Sequence, residues 1–158
     1  MSPLEAALCV AIGGSVLAVG GPAFVRNLHA SRLVEPIDGL KRIAERAVAL
    51  AGERPAGSAF PESIGLTPAE VPRGSPVLDP PGTWDKPTWL ALRFGFTEPH
   101  SYSFAFESDN KLGVARFKAR ARGDLDGDGQ LSDFSVAGEA RDGARPVSFA
   151  IEMTREVE

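Results

Sequence analysis

Three patterns of hydrophobic and polar positions follow one another along the chain. Residues 6–25 carry no charge, so as a helix they would extend roughly 30 Å, about the thickness of a bilayer core. Residues 26–53 then place apolar side chains every three or four positions, which predicts an amphipathic helix. Gly52 and Pro55 end this pattern, and Pro36 is expected to kink it. Together these segments predict one long helix.

The pattern changes again after this helix. Residues 54–87 hold eight of the chain's 13 prolines, which predicts a connecting loop, either packed on the surface or displayed to another subunit. Over residues 88–158, apolar and polar positions alternate, which predicts an antiparallel sheet with one apolar face. The amphipathic helix is the available cover for that face. The predicted fold class is α+β, with a long N-terminal helix packed on a C-terminal sheet.

Five short stretches form the predicted sheet: TWLALRFGF, HSYSFAFE, LGVARFKARAR, DFSVAG and VSFAIEM. In the last of them, Val147, Phe149, Ile151 and Met153 are expected to share one apolar face. The third stretch sets a row of cations on its polar face: Arg116, Lys118, Arg120 and Arg122. Such a row is typical of a solvated strand face or a protected edge. A surface for DNA or another anion is the alternative.

Composition excludes several functional classes. The net charge of -4 and pI near 5.3 give no general nucleic-acid footprint. Cys9 is the single cysteine, which excludes an internal disulfide. The sequence contains no nucleophile elbow, phosphate-binding loop, Cys/His metal cluster or dinucleotide fingerprint. His29 and His100 are isolated, so we expect surface or packed histidines and no enzyme activity.

The segment ARGDLDGDGQLSDFS has the pattern of a calcium-binding loop. Asp124, Asp126 and Asp128 occupy its first, third and fifth positions, and Gly129 supplies the sharp turn. The other predicted ligands are Gln130 through its carbonyl, Ser132 through a water, and the carboxylate of Asp133. Ser135 replaces the bidentate glutamate of position twelve, so we expect weak Ca²⁺ affinity, roughly 10⁻⁴–10⁻³ M. A plain hairpin turn is the alternative.

Several features of the first fifty residues occur together: Leu4-Glu5, an uncharged run to Val19, Gly21-Pro22-Ala23-Phe24, and the amphipathic run to Leu50. This combination resembles the type IV pilins. That family begins with phenylalanine, threonine and leucine before the glutamate, whereas this chain begins with Met1, Ser2 and Pro3. The resemblance implies that a basic leader has been removed, that Met1 is methylated, and that the C-terminal part lies outside the inner membrane.

Glu5 is the only charged side chain in the first 25 residues. Inside a bundle of helices an unpaired carboxylate costs several kcal/mol. The resemblance implies that it pairs with the α-amine of Met1 on a neighbouring subunit and so sets the register of assembly. The alternative is local, because Ser2 and Glu5 fit a capping box with Pro3 at the first helical position.

Gly13, Gly14 and Pro22 weaken the same helix. A glycine in a helix interior costs on the order of 1 kcal/mol, and a proline about 3 kcal/mol. The resemblance implies that residues 13–22 unwind when subunits pack into a filament. The alternative is close helix packing through small residues.

The resemblance implies a structural subunit of a type IV pilus. Residues 1–25 would hold it in the bacterial inner membrane, and the pilus assembly machinery would then polymerise it into a cell-surface filament for motility or adhesion. Its partners would be copies of itself, with no specific nucleic acid. The alternative within the superfamily is a pseudopilin of a type II secretion or DNA-uptake apparatus. The alternative of another class is a membrane-anchored calcium-dependent binding module.

Overall fold

The structure, a computed structural model, describes residues 33–155. Its elements are helix α1 over residues 33–52, a short 3-10 helix Ala56–Ser58, strand β1 Ile64–Thr67, helix α2 Pro87–Leu92, β2 Tyr102–Lys111, β3 Val114–Gly123, β4 Ser132–Arg141, β5 Val147–Ser148 and β6 Glu152–Arg155. The predicted membrane segment 1–25, and residues 26–32 after it, lie outside the described residues. From Glu35 onward the described chain forms one compact unit.

Helix α1 has the predicted amphipathic character. Leu40, Ile43 and Ala47 are fully buried, while Lys41 and the other charged residues of the opposite face are exposed. Ile37 is an exception to the predicted stripe, because 42% of it is exposed. The buried face therefore follows the three- and four-residue steps of the sequence from position 40 onward.

The six strands form one antiparallel sheet in the order β1-β2-β3-β4-β5, with β6 also paired to β4. The long strands are in continuous register, so that Phe104 lies opposite Ala121, and Ala121 opposite Phe134. Directly opposed residues of an antiparallel pair point to the same face. All three are buried, and they mark the inner face of the sheet.

Helix α1 packs against this inner face, which confirms the α+β class. The approach is close at Gly39, where a Cβ atom would lie 2.5 Å from the ring of Phe104. A side chain at position 39 would therefore occupy space that the Phe104 ring already fills. The guanidinium carbon of Arg42 lies 5.3 Å from the ring centre of Phe94, which extends the contact along the helix.

The first predicted strand is instead helix α2, so the prediction of a sheet beginning at residue 88 was wrong at this point. Pro87 stands at the first helical position, where its fixed φ favours a helix. Trp89 and Leu92 are fully buried while Leu90 is 59% exposed. Burial thus follows a three-residue step here, and the alternation read from the sequence was coincidental.

The proline-rich connection contains a strand that the sequence did not predict. Strand β1 lies within residues 54–87 and pairs with β2, with Ile64 opposite Phe106. Further along, Val77 pairs with His100 in an isolated antiparallel bridge. Much of the connection is therefore a packed surface segment, while Leu78 on it is 61% exposed.

The last predicted strand is divided into β5 and β6, and its expected apolar face was wrong. Val147 lies opposite Glu139, on the outer face of the sheet, whereas Met153 lies opposite Phe134, on the inner face. The two therefore belong to different faces. Val147, Phe149 and Met153 are each about half exposed.

The outer face of β3 carries the predicted cationic row, and its arginines are paired with carboxylates of neighbouring strands. Arg116 bonds to Glu139 at 3.0 Å and Arg122 to Asp133 at 2.9 Å, each pair being directly opposed across β3 and β4. Arg120 lies 3.7 Å from Glu107. This is the charge pattern of a solvated sheet face, and it favours that interpretation over an anion-binding surface.

Candidate functional site

The three predicted calcium-loop aspartates lie in the turn between β3 and β4. Strand β3 ends at Gly123 and β4 begins at Ser132, so the connection, here called the aspartate loop, comprises residues 124–131. Its end differs from the predicted bounds of 124–135, because residues 132–135 belong to β4. The backbone carbonyl of Asp124 accepts a hydrogen bond from Gly74 N–H at 2.8 Å, which fixes the proline-rich segment beside the loop.

The structure brings the carboxylates of Asp124, Asp126 and Asp128 together. One oxygen of each lies within 4.8 Å of the other two. Asp124 is 1% exposed, while Asp126 and Asp128 are exposed to solvent. This is the only such group of carboxylate, imidazole or thiol side chains within residues 33–155, and all three of its members are among the predicted ligands.

Backbone N–H groups of the loop hold these carboxylates in place. Asp124 accepts from Gly127 at 2.9 Å and from Gly129 at 3.2 Å. Both glycines have positive φ, 81° and 89°, a conformation that side chains disfavour. Asp126 accepts from Asp128 N–H at 3.1 Å. The loop is therefore wound around the buried carboxylate of Asp124.

Gln130 contributes to the loop through its side chain and its backbone. Its N–H donates to Asp128 Oδ1 at 2.6 Å, and its amide Nε2 donates to Asp128 Oδ2 at 2.8 Å. These two hydrogen bonds lower the pKa of Asp128 below its ordinary value, with a smaller contribution from Asp126. Asp128 is thus kept ionised, which is the form in which a carboxylate binds a cation.

The other predicted ligands have partners elsewhere. Ser132 Oγ donates to the carbonyl of Gly123 at 3.1 Å. Asp133 accepts from Arg122 Nε at 2.9 Å on the outer face of the sheet. Ser135, at the position of the missing glutamate, lies opposite Arg120 within β4. The structure therefore groups three of the predicted side chains in the loop and places two other predicted ligands, Ser132 and Asp133, on the adjoining strand.

The donor set of the aspartate loop matches what Ca²⁺ requires only in part. Carboxylate and carbonyl oxygens are its preferred ligands, and three carboxylates converge here. The bidentate carboxylate that completes a high-affinity loop has no counterpart, and Arg73 Nε lies 3.9 Å from Asp124 Oδ2. Since the Arg73 side chain is 77% exposed, water largely screens this ion pair. Asp124, Asp126 and Asp128 are the residues that would hold the ion.

A second polar group, which the sequence did not predict, lies buried at the start of β2. His100 Nε2 is 2.8 Å from Asp79 Oδ2, and the two side chains are 1% and 4% exposed. The same oxygen accepts a hydrogen bond from Trp84 Nε1 at 2.7 Å. His100 Nδ1 contacts the carbonyl of Tyr102 at 2.9 Å, and its ring stacks on Phe96 at 4.5 Å. His100 is therefore a packed histidine that joins the proline-rich segment to the sheet.

Glu35 binds the same end of β2 from helix α1. Its Oε1 accepts hydrogen bonds from the backbone N–H groups of Ser101 and Tyr102, both at 2.9 Å. Burial raises the pKa of Glu35 above its ordinary value, although these hydrogen bonds and the nearby His100 act in the opposite direction. No sequence signal identified this contact, because 66 residues separate Glu35 from Ser101.

The predicted assembly residues are Met1, Glu5, Gly13, Gly14 and Pro22, and all of them lie outside the described residues, as does His29. No helix within residues 33–155 is long and apolar enough to cross a membrane.

Three comparisons complete the description of the chain. It matches no model of a protein family, no curated protein and no solved structure.

Proposed function

We propose that this chain is a filament subunit of the type IV pilin kind. The observation that carries the proposal is a combination: Glu5 stands before the uncharged run 6–25, and the same chain continues into an amphipathic helix that packs on an antiparallel sheet. Residues 6–25 suit a bilayer before assembly and a helical bundle afterwards. Their glycines would allow the segment to unwind on packing.

The two parts of the chain then have different tasks. The N-terminal helix is the polymerisation element, in which Glu5 neutralises the α-amine of Met1 on the preceding subunit. The sheet and the proline-rich segment form the outer coat. The contacts described above support such a coat, since Glu35, Asp79 and Gly39 bind helix, connection and sheet together.

The test is the variant Glu5→Ala, with Glu53→Ala as its matched control, since Glu53 is an exposed carboxylate after α1. Glu5→Ala is expected to insert into the membrane and to yield no filaments, because the bundle then lacks its register contact. Glu53→Ala is expected to assemble normally. Unchanged filament formation by Glu5→Ala would contradict the proposal and reduce Glu5 to a helix cap.

A pseudopilin of a secretion or DNA-uptake apparatus is the rival within the superfamily. It predicts short fibres confined to the periplasm. Abundant long surface filaments would exclude it.

The carboxylate cluster favours a second role, calcium binding by the aspartate loop. In a filament subunit the ion would fasten the β3–β4 turn beside Gly74 of the proline-rich segment. In a membrane-anchored binding module the same ion would serve recognition without polymerisation. Calcium-dependent stability tests the ion, and the Glu5→Ala experiment separates the two settings.

A further inference from the structure

Some arginines of the described chain have a carboxylate partner and others have none. On the outer face of the sheet, Arg116, Arg120 and Arg122 each have a carboxylate partner. Around helix α1 the situation is different. Arg42, Arg46 and Arg93 have no carboxylate oxygen within 4.0 Å anywhere in residues 33–155.

These three unpaired arginines line one concave site between α1 and the end of α2. The site has a volume of about 270 Å³, and its walls are Arg42, Glu45, Arg46, Ala49 and Arg93. We call it the arginine cleft. Three guanidinium groups and one carboxylate give it a local charge of about +2. A surface with this excess attracts anions, and guanidinium groups bind planar or tetrahedral oxyanions through paired N–H donors.

Arg42 is held in position at the cleft. Its guanidinium carbon lies 5.3 Å over the ring centre of Phe94, a buried residue. A cation–π contact of this kind holds the guanidinium near the ring, while its N–H donors remain able to bind a ligand. The side chain therefore loses less freedom on binding than an unsupported surface arginine would.

Arg93 occupies the position after α2 in the left-handed conformation, with φ 50° and ψ 46°. Its N–H donates to the carbonyl of Leu90 at 3.1 Å, which closes the helix end. Glycine is the usual residue at such a position, since a side chain disfavours this backbone conformation. A cation near a helix C-terminus also interacts favourably with the helix dipole, and the side chain of Arg93 lines the cleft.

We propose that the arginine cleft binds a phosphate group in its dianionic form. The local charge favours a doubly charged ligand over a single carboxylate. Phosphate monoesters carry a charge of about −1.5 to −2 at neutral pH. They offer three acceptor oxygens, as many as there are guanidinium groups in the cleft. The site is independent of filament assembly, because all its residues belong to the sheet-packed part of the chain.

The test is phosphate binding by the full-length chain in a neutral detergent. Inorganic phosphate is titrated at constant ionic strength against sodium chloride, and binding is followed by calorimetry and by the thermal midpoint. Phosphate is expected to raise the midpoint above its value in chloride. Equal midpoints in the two salts would overturn the proposal.

The variant Arg93→Gly separates binding from folding. It relieves the left-handed strain, so its thermal midpoint without phosphate is expected to be equal to or above that of the parent chain. Its phosphate affinity is expected to fall about tenfold, because a charge-assisted contact is lost. The matched control is Arg145→Gln, an exposed arginine outside the cleft. Parent-like affinity of Arg93→Gly, or an equal loss in Arg145→Gln, would overturn the site.

The pH dependence tests the requirement for a dianion. Inorganic phosphate takes up a proton near neutral pH, above the pKa of about 6 of a phosphate monoester, and is largely a monoanion at pH 5.5. Its affinity is therefore expected to fall between pH 7.5 and 5.5. Sulfate stays doubly charged over this range, and its affinity is expected to stay constant. A constant phosphate affinity would refute the charge argument.

The source of the phosphate group is tested by competition. Phosphatidic acid in mixed micelles is added to the complex with inorganic phosphate, with phosphatidylcholine as the control. Displacement by phosphatidic acid alone assigns the site to a lipid headgroup. Failure to displace assigns it to a soluble phosphate compound, and displacement by phosphatidylcholine would contradict recognition of a phosphate dianion.

Discussion

Carboxylates in two regions of the described chain differ in where their hydrogen-bond partners lie in the sequence. Glu35 on helix α1 and Asp79 on the proline-rich segment form hydrogen bonds with groups at the start of β2, which are far away in sequence. Asp126 and Asp128 receive theirs from residues two positions further along in the same loop. The first pair therefore holds the fold together. The second pair stabilises only its own turn and leaves converging negative charge for a cation.

The largest loss of stability is expected from a substitution of Asp79. The variant Asp79→Ala removes the acceptor of the Trp84 Nε1–H group and the partner of His100 Nε2, both of which are buried. Each buried polar group left without a partner costs about 1–3 kcal/mol in the free energy of unfolding. Denaturant unfolding of the full-length chain measures it. Asp85→Ala, at an exposed carboxylate of the same segment, is the control and should change stability by about 0.5 kcal/mol or less. Similar losses in both variants would contradict the structural role of Asp79.

The second largest loss of stability is expected from a substitution of Glu35. Glu35→Ala leaves the N–H groups of Ser101 and Tyr102 without an acceptor, at a cost of about 2–3 kcal/mol. Glu35→Gln keeps the accepting oxygen, which both N–H groups share, so its loss should stay below about 1 kcal/mol. Equal losses in the two variants would show that the carboxylate charge, rather than the hydrogen bonds, holds β2.

The pH dependence of stability is a further test of the role of Glu35. Its pKa is raised in the folded chain above the ordinary value of 4.5. On raising the pH, the unfolded chain loses this proton first, so the contribution of Glu35 to stability is fully present below 4.5 and is lost as the pH rises through the folded pKa. Glu35→Gln is expected to remove that fall from the stability curve. A fall that persists in Glu35→Gln would assign it to another group.

A substitution of Asp124 is expected to cause a smaller loss of stability and also to weaken the calcium response. Asp124→Asn retains one acceptor oxygen for two N–H donors, those of Gly127 and Gly129. The expected loss without metal is about 1–2 kcal/mol. Asp128→Asn, at an exposed position, should change metal-free stability little and weaken only the calcium response. Identical behaviour of the two variants would contradict the distinction between the buried and the exposed carboxylate.

The addition of calcium is expected to give the smallest change in stability. At ten times the dissociation constant, binding to the folded chain adds about 1.4 kcal/mol, which shifts the thermal midpoint by about 3–6 °C. EDTA should reverse the shift, and Mg²⁺ should reproduce little of it, because it needs a stricter octahedral geometry. A melting curve that is the same in calcium and in EDTA would leave the loop as a hairpin turn.

The sequence predicted what depends on local pattern. The alternation in β3 correctly separated buried Ala115 and Phe117 from charged Arg116 and Lys118, because a strand places successive side chains on opposite faces. Three of the four predicted loop carboxylates meet, since a short loop brings residues two apart to the same side. The fourth, Asp133, is instead paired on the outer face of the sheet. In both cases the residues that interact are close in sequence.

The remaining features depend on tertiary contacts. The pairing of Asp79 with His100 joins residues 21 positions apart, and neither shows a periodic signal. Helix α2 was predicted as a strand because large apolar residues recur at every second position from Leu90 to Phe96. In the structure Trp89 is buried and Leu90 is exposed, as a helix requires. The arginine cleft also escaped prediction, since Arg93 follows Arg46 by 47 positions.

The central claim is that this chain polymerises through its N-terminal segment. Electron microscopy of material sheared from producing cells, combined with mass spectrometry of the N-terminus, tests it most directly. The account predicts thin filaments whose subunits mass spectrometry identifies as this chain. A chain that stays in the membrane, with no filaments in the sheared fraction, would contradict it and favour the membrane-anchored binding module.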